Sequence, residues 1–237
     1  MLPSEVLAAW LAAFRRWLPV RRPLRLADVG SGTGRFTSSL AAAFGGPVIG
    51  LEPAERMRAL ALTAPVHPKV CFAGGSCEAL PLADRAVDGA LLFGVWHHLR
   101  DRAASAVELA RVVRPGGTLL VRTTGSDRLS PPWWGAWFPE VHDADRTLLP
   151  SLADTVATIT TAGWELVAID DVVLPAVMTR RENFARLQQR SLSTLEYLDD
   201  TVVNQGIERI AAALAVHADA DRPAPVAPQD LLVFSRP

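Results

Sequence analysis

Between residues 24 and 123 short apolar runs alternate with helical stretches, and the connections between them are brief. LRLADV (24–29), PVIGLE (47–52), KVCFA (69–73), AVDGALLFG (86–94) and TLLVRT (118–123) have the length and composition of strands. FTSSLAAAF (36–44), AERMRALAL (54–62) and RAASAVELARVV (102–113) carry helical character between them. The fourth run is almost uniformly apolar, as a strand covered on both faces would be. This alternation predicts a doubly wound, mostly parallel sheet with helices on both faces. Ligands of such sheets bind at the carboxyl ends of the strands.

The flanking regions are less regular. Leu7, Trp10, Leu11, Phe14 and Leu18 recur at helical spacing, predicting an amphipathic helix over 4–18 with Ser4 as its N-cap. Residues 126–150 are rich in proline and tryptophan and show neither a helical nor a strand period. Helix is expected at 151–163, strand at 164–174, and helix again over 179–217. A proline-rich linker (222–228) then precedes a last strand, DLLVFSR (230–236).

The first strand runs into Gly30-Ser31-Gly32-Thr33-Gly34-Arg35. A dinucleotide fingerprint, G-x-G-x-x-G, would place its last glycine where Arg35 stands. Asp28, two residues before Gly30, would lie beside a diphosphate, where a carboxylate is unfavourable. Beside the ammonium of an amino acid the same carboxylate is favourable, by about 1.5–3 kcal/mol. A nucleoside with an amino-acid tail therefore fits better than a dinucleotide.

With its neighbours, this loop resembles the class I S-adenosylmethionine-dependent methyltransferases, in particular the small-molecule enzymes of the type 11 kind. LADVGSGTGRF is similar to their first motif, and Glu52 in VIGLEP stands where an acid takes both ribose hydroxyls. GGSCEALPLADRAVD (74–88) resembles the segment around the adenine. LLFGVWHHL (91–99) resembles the end of the fourth strand, and ELARVVRPGGTLLV (108–121) the helix, turn and strand that follow. The resemblance spans about residues 5–123 and implies a Rossmann-like α/β fold. Its seven-stranded, doubly wound sheet is mostly parallel with the last strand antiparallel, and it carries a helical cap insertion. The expected domains are 1–174 with 229–237, which bind the cofactor, and 175–228, a cap over the substrate or a dimer face.

The resemblance assigns cofactor contacts to Asp28, Gly30, Ser31, Gly32, Gly34, Glu52, Pro53, Met57, Ser76, Cys77, Glu78 and Phe93. It departs from the family where Ser76 replaces the usual acid for the adenine amine, which implies a weaker contact there or a local substitute. Cys77 keeps a backbone N–H for the ring. Met57 has a second reading as a core residue. The family often opens with an aromatic- and arginine-containing segment over the cofactor. Here the chain starts almost directly at its first helix, so either the cover is expected from elsewhere or the start codon is misplaced.

His97 and His98 are the catalytic candidates, at most one of them acting, since a histidine ending the fourth strand would lie near the transferred methyl. An architectural role for the pair is the competing reading. Trp133, Trp134 and Trp137, with Phe138, form either a wall for a flat apolar or cationic substrate or an anchor for their own loop. His142, Asp143 and Asp145 read as a solvated polar turn, with no metal expected.

The expected function is in-line methyl transfer from S-adenosylmethionine to O, N or C of a small, largely apolar metabolite, leaving S-adenosylhomocysteine. The alternatives are a fold relative with a non-methylating reaction such as cyclisation, a binding protein and, against Asp28 and Arg35, an NAD-dependent oxidoreductase. A net charge of −1 without long runs of one sign gives no footprint for nucleic acid. Cys71 and Cys77 fit no zinc spacing and read as thiols in a reducing compartment. The N-terminal apolar stretch is interrupted by Arg15 and Arg16 and lacks the pattern of a signal peptide, so no membrane partner and a cytoplasmic location are expected. A monomer or a homodimer is expected.

Overall fold

A computed structural model of the protein describes residues 3–190 and 192–237. Met1, Leu2 and Ser191, which belong to the expected domain 1–174 and the expected helical stretch 179–217, lie outside the described residues. In chain order the elements are α1 (Ser4–Trp17), β1 (Leu26–Val29), α2 (Thr37–Phe44), β2 (Val48–Leu51), α3 (Glu55–Ala61), β3 (Val70–Ala73) and β4 (Val87–Phe93). They continue with α4 (Arg102–Val112), β5 (Val113–Arg122), α5 (Pro139–Leu148), α6 (Leu152–Thr161), β6 (Glu165–Val172), α7 (Arg180–Gln188), α8 (Asp200–Ala215) and β7 (Gln229–Ser235). Short 3-10 turns occupy Trp96–His98 and Ser193–Tyr197. No helix among the described residues is long and apolar enough to cross a membrane.

Contacts divide the chain into two compact units. The sheet unit comprises the chain up to Thr123, Ala153–Val172 and Gln229–Pro237; the helical unit comprises Thr124–Leu152 and Val173–Pro228. The seven strands run in the order β3-β2-β1-β4-β5-β7-β6. The first five pair in parallel, and β7 is antiparallel to both β5 and β6. The order reverses between β1 and β4, which opens a crevice at the carboxyl ends of these strands. All of β1, and β4 up to Leu92, is buried, as strands covered on both faces must be.

An aromatic chain supports this crevice from below. Trp10 on α1 meets Phe93 edge-on at 4.9 Å between ring centroids, Phe93 lies 4.4 Å from Phe36, and Phe36 lies 5.8 Å from Phe14. The helical period of α1 is thus read out as a hydrophobic footing for the last residue of β4. The cap of α1 differs from expectation. Pro3 occupies the N-cap and Ser4 is the first helical residue, its hydroxyl donating to Glu5 instead of closing the helix end.

The helical unit has its own core. Trp134, Phe138 and Val141 are buried with Phe184, Leu187, Val203, Ile210 and Leu214. This packing explains why Thr124–Leu152 belongs with this unit, whereas the sequence boundary at 174–175 counts it with the sheet. Within it, residues 139–148 form α5, where the sequence shows no period: Pro139 at the first helical position sets the backbone angle for helix entry. Gly206 of α8 lets Phe138 approach so closely that a Cβ there would lie 2.5 Å from the ring. A Thr179–Glu182 capping box starts α7, and the side chain of Asp199 accepts from Thr201 N–H to start α8. The expected linker 222–228 is held in part, since Ala224 N–H donates to Met178 O at 2.7 Å.

Candidate cofactor and acceptor site

Gly30, Gly32 and Gly34 all have left-handed backbone angles, at φ of 70°, 55° and 74°. Two of them show what the loop requires. At Gly30 a Cβ would collide with Val95, so the residue lets the loop after β1 close on the loop after β4. At Gly32 the nearest atom to a Cβ is Met57 Cε at 3.8 Å, so this glycine faces open space that a side chain would fill. That space is a cavity of about 890 Å³ lined by the loop, Glu52, Pro53, Met57, residues 75–78 and residues 93–95 with 98–101. Beside it a smaller cavity of about 180 Å³ is lined by Asp28, Ser31, Thr33, Arg35 and Phe36 among others.

Glu52 follows β2, and its carboxylate is held at both oxygens. Oε2 accepts from Gly32 N–H at 3.0 Å and Oε1 from Ala54 N–H at 2.9 Å. Each oxygen keeps a lone pair while its orientation is set, which suits a ligand presenting two hydroxyls. Asp28 is buried, with Thr37 Oγ1 donating to Oδ2 at 2.7 Å. Burial pushes its carboxyl up to about 6; the Thr37 hydroxyl works against this and the charge of Glu52 adds to it. A cation beside Asp28 would reverse that cost, and the hydroxyl of Ser31 in the same small cavity is buried without a partner.

Ser76, Cys77 and Glu78 line the larger cavity on a turn closed by Ala79 N–H to Ser76 O at 3.1 Å. The Cys77 thiol is buried and pushed up to about 12, chiefly by burial, so it is neutral and unreactive. The segment is pinned from α4. Glu108 accepts from Leu80 N–H, and Arg111 donates to Leu80 O, Leu82 O and Asp84. Sequence reasoning missed Arg111 as the brace of this turn. Its signal is an arginine on the inward side of the RAASAVELARVV helix, three residues after Glu108.

Of the expected cofactor residues, Asp28, Gly30, Ser31, Gly32, Glu52, Pro53, Met57, Ser76, Cys77, Glu78 and Phe93 all line one of the two cavities. Gly34 lines neither; a Cβ there would meet Phe72 at 2.8 Å, so it serves the packing of the loop on β3. Val95 lines the larger cavity as its place beside Phe93 leads one to expect; Leu99, Arg100 and Asp101 line it without having been singled out, and Asp101 also caps α4 by accepting from Ala104 N–H.

His97 and His98 stand on the 3-10 turn after β4 and not on the strand, with their rings 3.9 Å apart. The alternation of a strand does not apply to them: His98 is exposed and lines the cavity, whereas His97 is partly buried with an unpartnered Nδ1. Burial, then the charges of His98, Arg122 and Arg102, lower His97 to about 4. Trp134 and Phe138 are core residues of the helical unit; Trp133 and Trp137 pack on that core, 6.3 Å apart. His142, Asp143 and Asp145 lie on α5 and not on a turn, and Asp145 accepts from Thr194 Oγ1 at 2.5 Å.

Residues 27–121 match the family described as a methyltransferase domain. An uncharacterized methyltransferase of Mycobacterium tuberculosis is 37% identical over 150 residues, covering 59% of this chain and 58% of the relative. A malonyl-[acyl-carrier protein] O-methyltransferase of Methylococcus capsulatus is 40% identical over 135 residues, covering 54% of this chain and 47% of that one. The chain spans about half the length of these curated relatives. A solved structure described as a putative methyltransferase from an antibiotic biosynthesis pathway of Anabaena variabilis shares the fold, with a TM-score of 0.77 at 23% identity over 97% of both chains. The methyltransferase-domain match thus falls on the strands and helices of the sheet unit from β1 to β5, and the fold as a whole is that of the Anabaena variabilis structure.

Proposed function

We propose that the protein transfers a methyl group from S-adenosylmethionine to O, N or C of a small, largely apolar metabolite. The observation that carries this reading is the pair of adjoining cavities on the glycine loop: one holds Glu52 and the 75–78 turn, the other Asp28 and Arg35. The residues fit the cofactor. Glu52 would take the ribose hydroxyls, Cys77 and Glu78 would border the adenine, and Asp28 with Arg35 supplies opposite charges for a zwitterionic tail. Gly32 leaves the room that the ligand needs.

When bound, the cofactor supplies a methyl group already activated by a sulfonium. The protein's residues then have to position the acceptor and exclude water, and such positioning contributes about 7–11 kcal/mol. His97, lowered to about 4, is neutral at pH 7 and a weak base, which matches a reaction without a dedicated general base. Phe93, Val95 and Leu99 give the larger cavity an apolar wall for an apolar acceptor.

Isothermal titration calorimetry tests the reading. S-adenosylhomocysteine is expected to bind, and Gly32→Arg to abolish binding while the fold is retained by circular dichroism. Saturable binding of NAD in its place would overturn the proposal. With acceptor candidates, release of S-adenosylhomocysteine supports methyl transfer, and product formation without it supports a non-methylating reaction.

A further inference from the structure

Four polar side-chain atoms at the carboxyl ends of β4 and β5 are buried without a hydrogen-bond partner: Trp96 Nε1, His97 Nδ1, Arg122 Nε and Thr123 Oγ1. The two strands are neighbours there, with Phe93 opposite Arg122 in the ladder. Of the four atoms, Trp96 Nε1 and Arg122 Nε can only donate, and the Thr123 hydroxyl can do so as well. One of the donors belongs to a cation. Buried groups of this kind are normally satisfied, so the unsatisfied Nε of a guanidinium marks where an acceptor belongs.

Arg122 does not itself line the larger cavity but lies directly behind Gly94, which does. This glycine lines the cavity, and the only atom that a Cβ added to it would meet within 4 Å is Arg122 Nη1, at 3.7 Å. The absent side chain leaves the guanidinium next to the cavity wall. Phe93, which also lines the cavity, lies under it with the guanidinium carbon 5.5 Å from the ring centroid. On the other side Nη2 donates to Gln229 Oε1, a neutral acceptor. Asp230 favours the charge of Arg122 through space, but burial outweighs it, and the guanidinium is held below its usual range. The cation is incompletely compensated by the protein itself.

We propose that Arg122 anchors an anion subsite behind the Gly94 wall of the larger cavity, and that the methyl acceptor is an apolar molecule carrying a carboxylate that binds there. The proposal rests on the methyltransferase reading and specifies its substrate class. The carboxylate is a handle and not the methylated atom, because a guanidinium bound to an oxygen withdraws electron density from it and lowers its nucleophilicity. Arg122 is in this sense a specificity residue of the acceptor site.

The test uses the full-length protein saturated with S-adenosylhomocysteine and a panel of benzoate, cinnamate and octanoate, each paired with its primary amide. Saturation by S-adenosylhomocysteine is measured first; if it does not bind, the methyltransferase reading fails and the subsite loses its basis. If it binds, at least one acid is expected to bind ten-fold or more tightly than its amide. Arg122→Gln is expected to erase that preference and Arg122→Lys to keep part of it, both with S-adenosylhomocysteine affinity unchanged. A second readout needs no variant. His97 faces the charges of His98, Arg102 and Arg122, and neutralising Arg122 with a bound acid raises the pH at which the His97 ring titrates by NMR. Acids and amides that bind alike, an acid preference that survives Arg122→Gln, or a His97 titration indifferent to the bound acid would each overturn the subsite while leaving the methyltransferase reading intact.

Discussion

Asp88 and Asp28 are buried aspartates on neighbouring strands of one sheet, and the protein treats them in opposite ways. Asp88 sits near the amino end of β4. Its Oδ1 accepts from Arg21 at 2.5 Å and Arg114 at 2.7 Å, and its Oδ2 from Arg25 N–H at 2.7 Å. Burial works to raise its carboxyl, but these donors outweigh it and hold the group below its ordinary range. Asp28 lies level with Leu91, three residues further along β4, or about 10 Å towards the carboxyl end. Among the described residues it has the hydroxyl of Thr37 and no ion-pair partner, and burial pushes it up to about 6. The amino end of the sheet completes its own charge pairs. The carboxyl end leaves an acid at Asp28 and a cation at Arg122 incompletely compensated, and that is where the cavities are. Stability and binding are thus separated along the length of the strands.

The largest effect is expected where the pairing is complete. Asp88→Ala leaves three arginines and a backbone N–H without their acceptor. Breaking a buried ion pair costs about 3–5 kcal/mol, and because these arginines are partly exposed the lower end, about 3 kcal/mol, is expected. Denaturant unfolding measures it, and calorimetry should find the affinity for S-adenosylhomocysteine unchanged in the folded fraction. A stable Asp88→Ala protein with weakened ligand binding would dissolve the distinction between the two ends.

Asp28→Asn should act in the reverse sense. The loss of a charged hydrogen bond to the ligand's ammonium, about 1.5–3 kcal/mol, weakens S-adenosylhomocysteine binding by roughly 10- to 100-fold. Stability moves the other way. The folded carboxyl titrates at about 6 against 3.8 in the unfolded chain, so the unfolded state holds fewer protons between these values. Its contribution is present below pH 3.8 and lost as the pH rises through about 6. The stability of Asp28→Asn relative to the original protein should therefore improve by about 2–3 kcal/mol between pH 4 and pH 8. Parallel unfolding curves at the two pH values, with no change in the difference, would show that Asp28 is already satisfied.

The same contrast explains what could be read from the chain. Asp28 and Glu52 are legible because each stands at the carboxyl end of an apolar strand, Asp28 two residues before the glycine loop and Glu52 directly after β2. Asp88 looks like any acid beside an apolar run; its partners Arg21, Arg25 and Arg114 come from two other segments that only the sheet brings together. Arg122 is hidden for the same reason, since its setting depends on Phe93 across the ladder and Gln229 from the far end of the chain. The five alternating strands were visible as apolar runs. Helix α5 was not: its tryptophan-rich approach masks a start marked by Pro139 and Glu140 without a side-chain cap. Gly34 was legible as part of the loop but not as a packing residue, because Phe72 approaches it from β3.

The smallest effect is expected at His97, which shares the carboxyl end but has no cavity of its own to serve. Its ring is lowered from 6.5 to about 4 by burial and by the charges of His98, Arg122 and Arg102. The unfolded chain therefore binds a proton that the folded chain refuses, and the contribution of His97 to stability is present above pH 6.5 and lost as the pH falls through about 4. Partial exposure discounts the magnitude, and between pH 7 and pH 5 the original protein should lose about 1 kcal/mol more than His97→Gln. Turnover of the variant should stay within roughly threefold of the original, well short of the 10²–10⁴ that a general base contributes. A pH–rate profile with an ascending limb between 6 and 7 that disappears in His97→Gln would make His97 that base. It would also move the ring from the frame of the site into its chemistry.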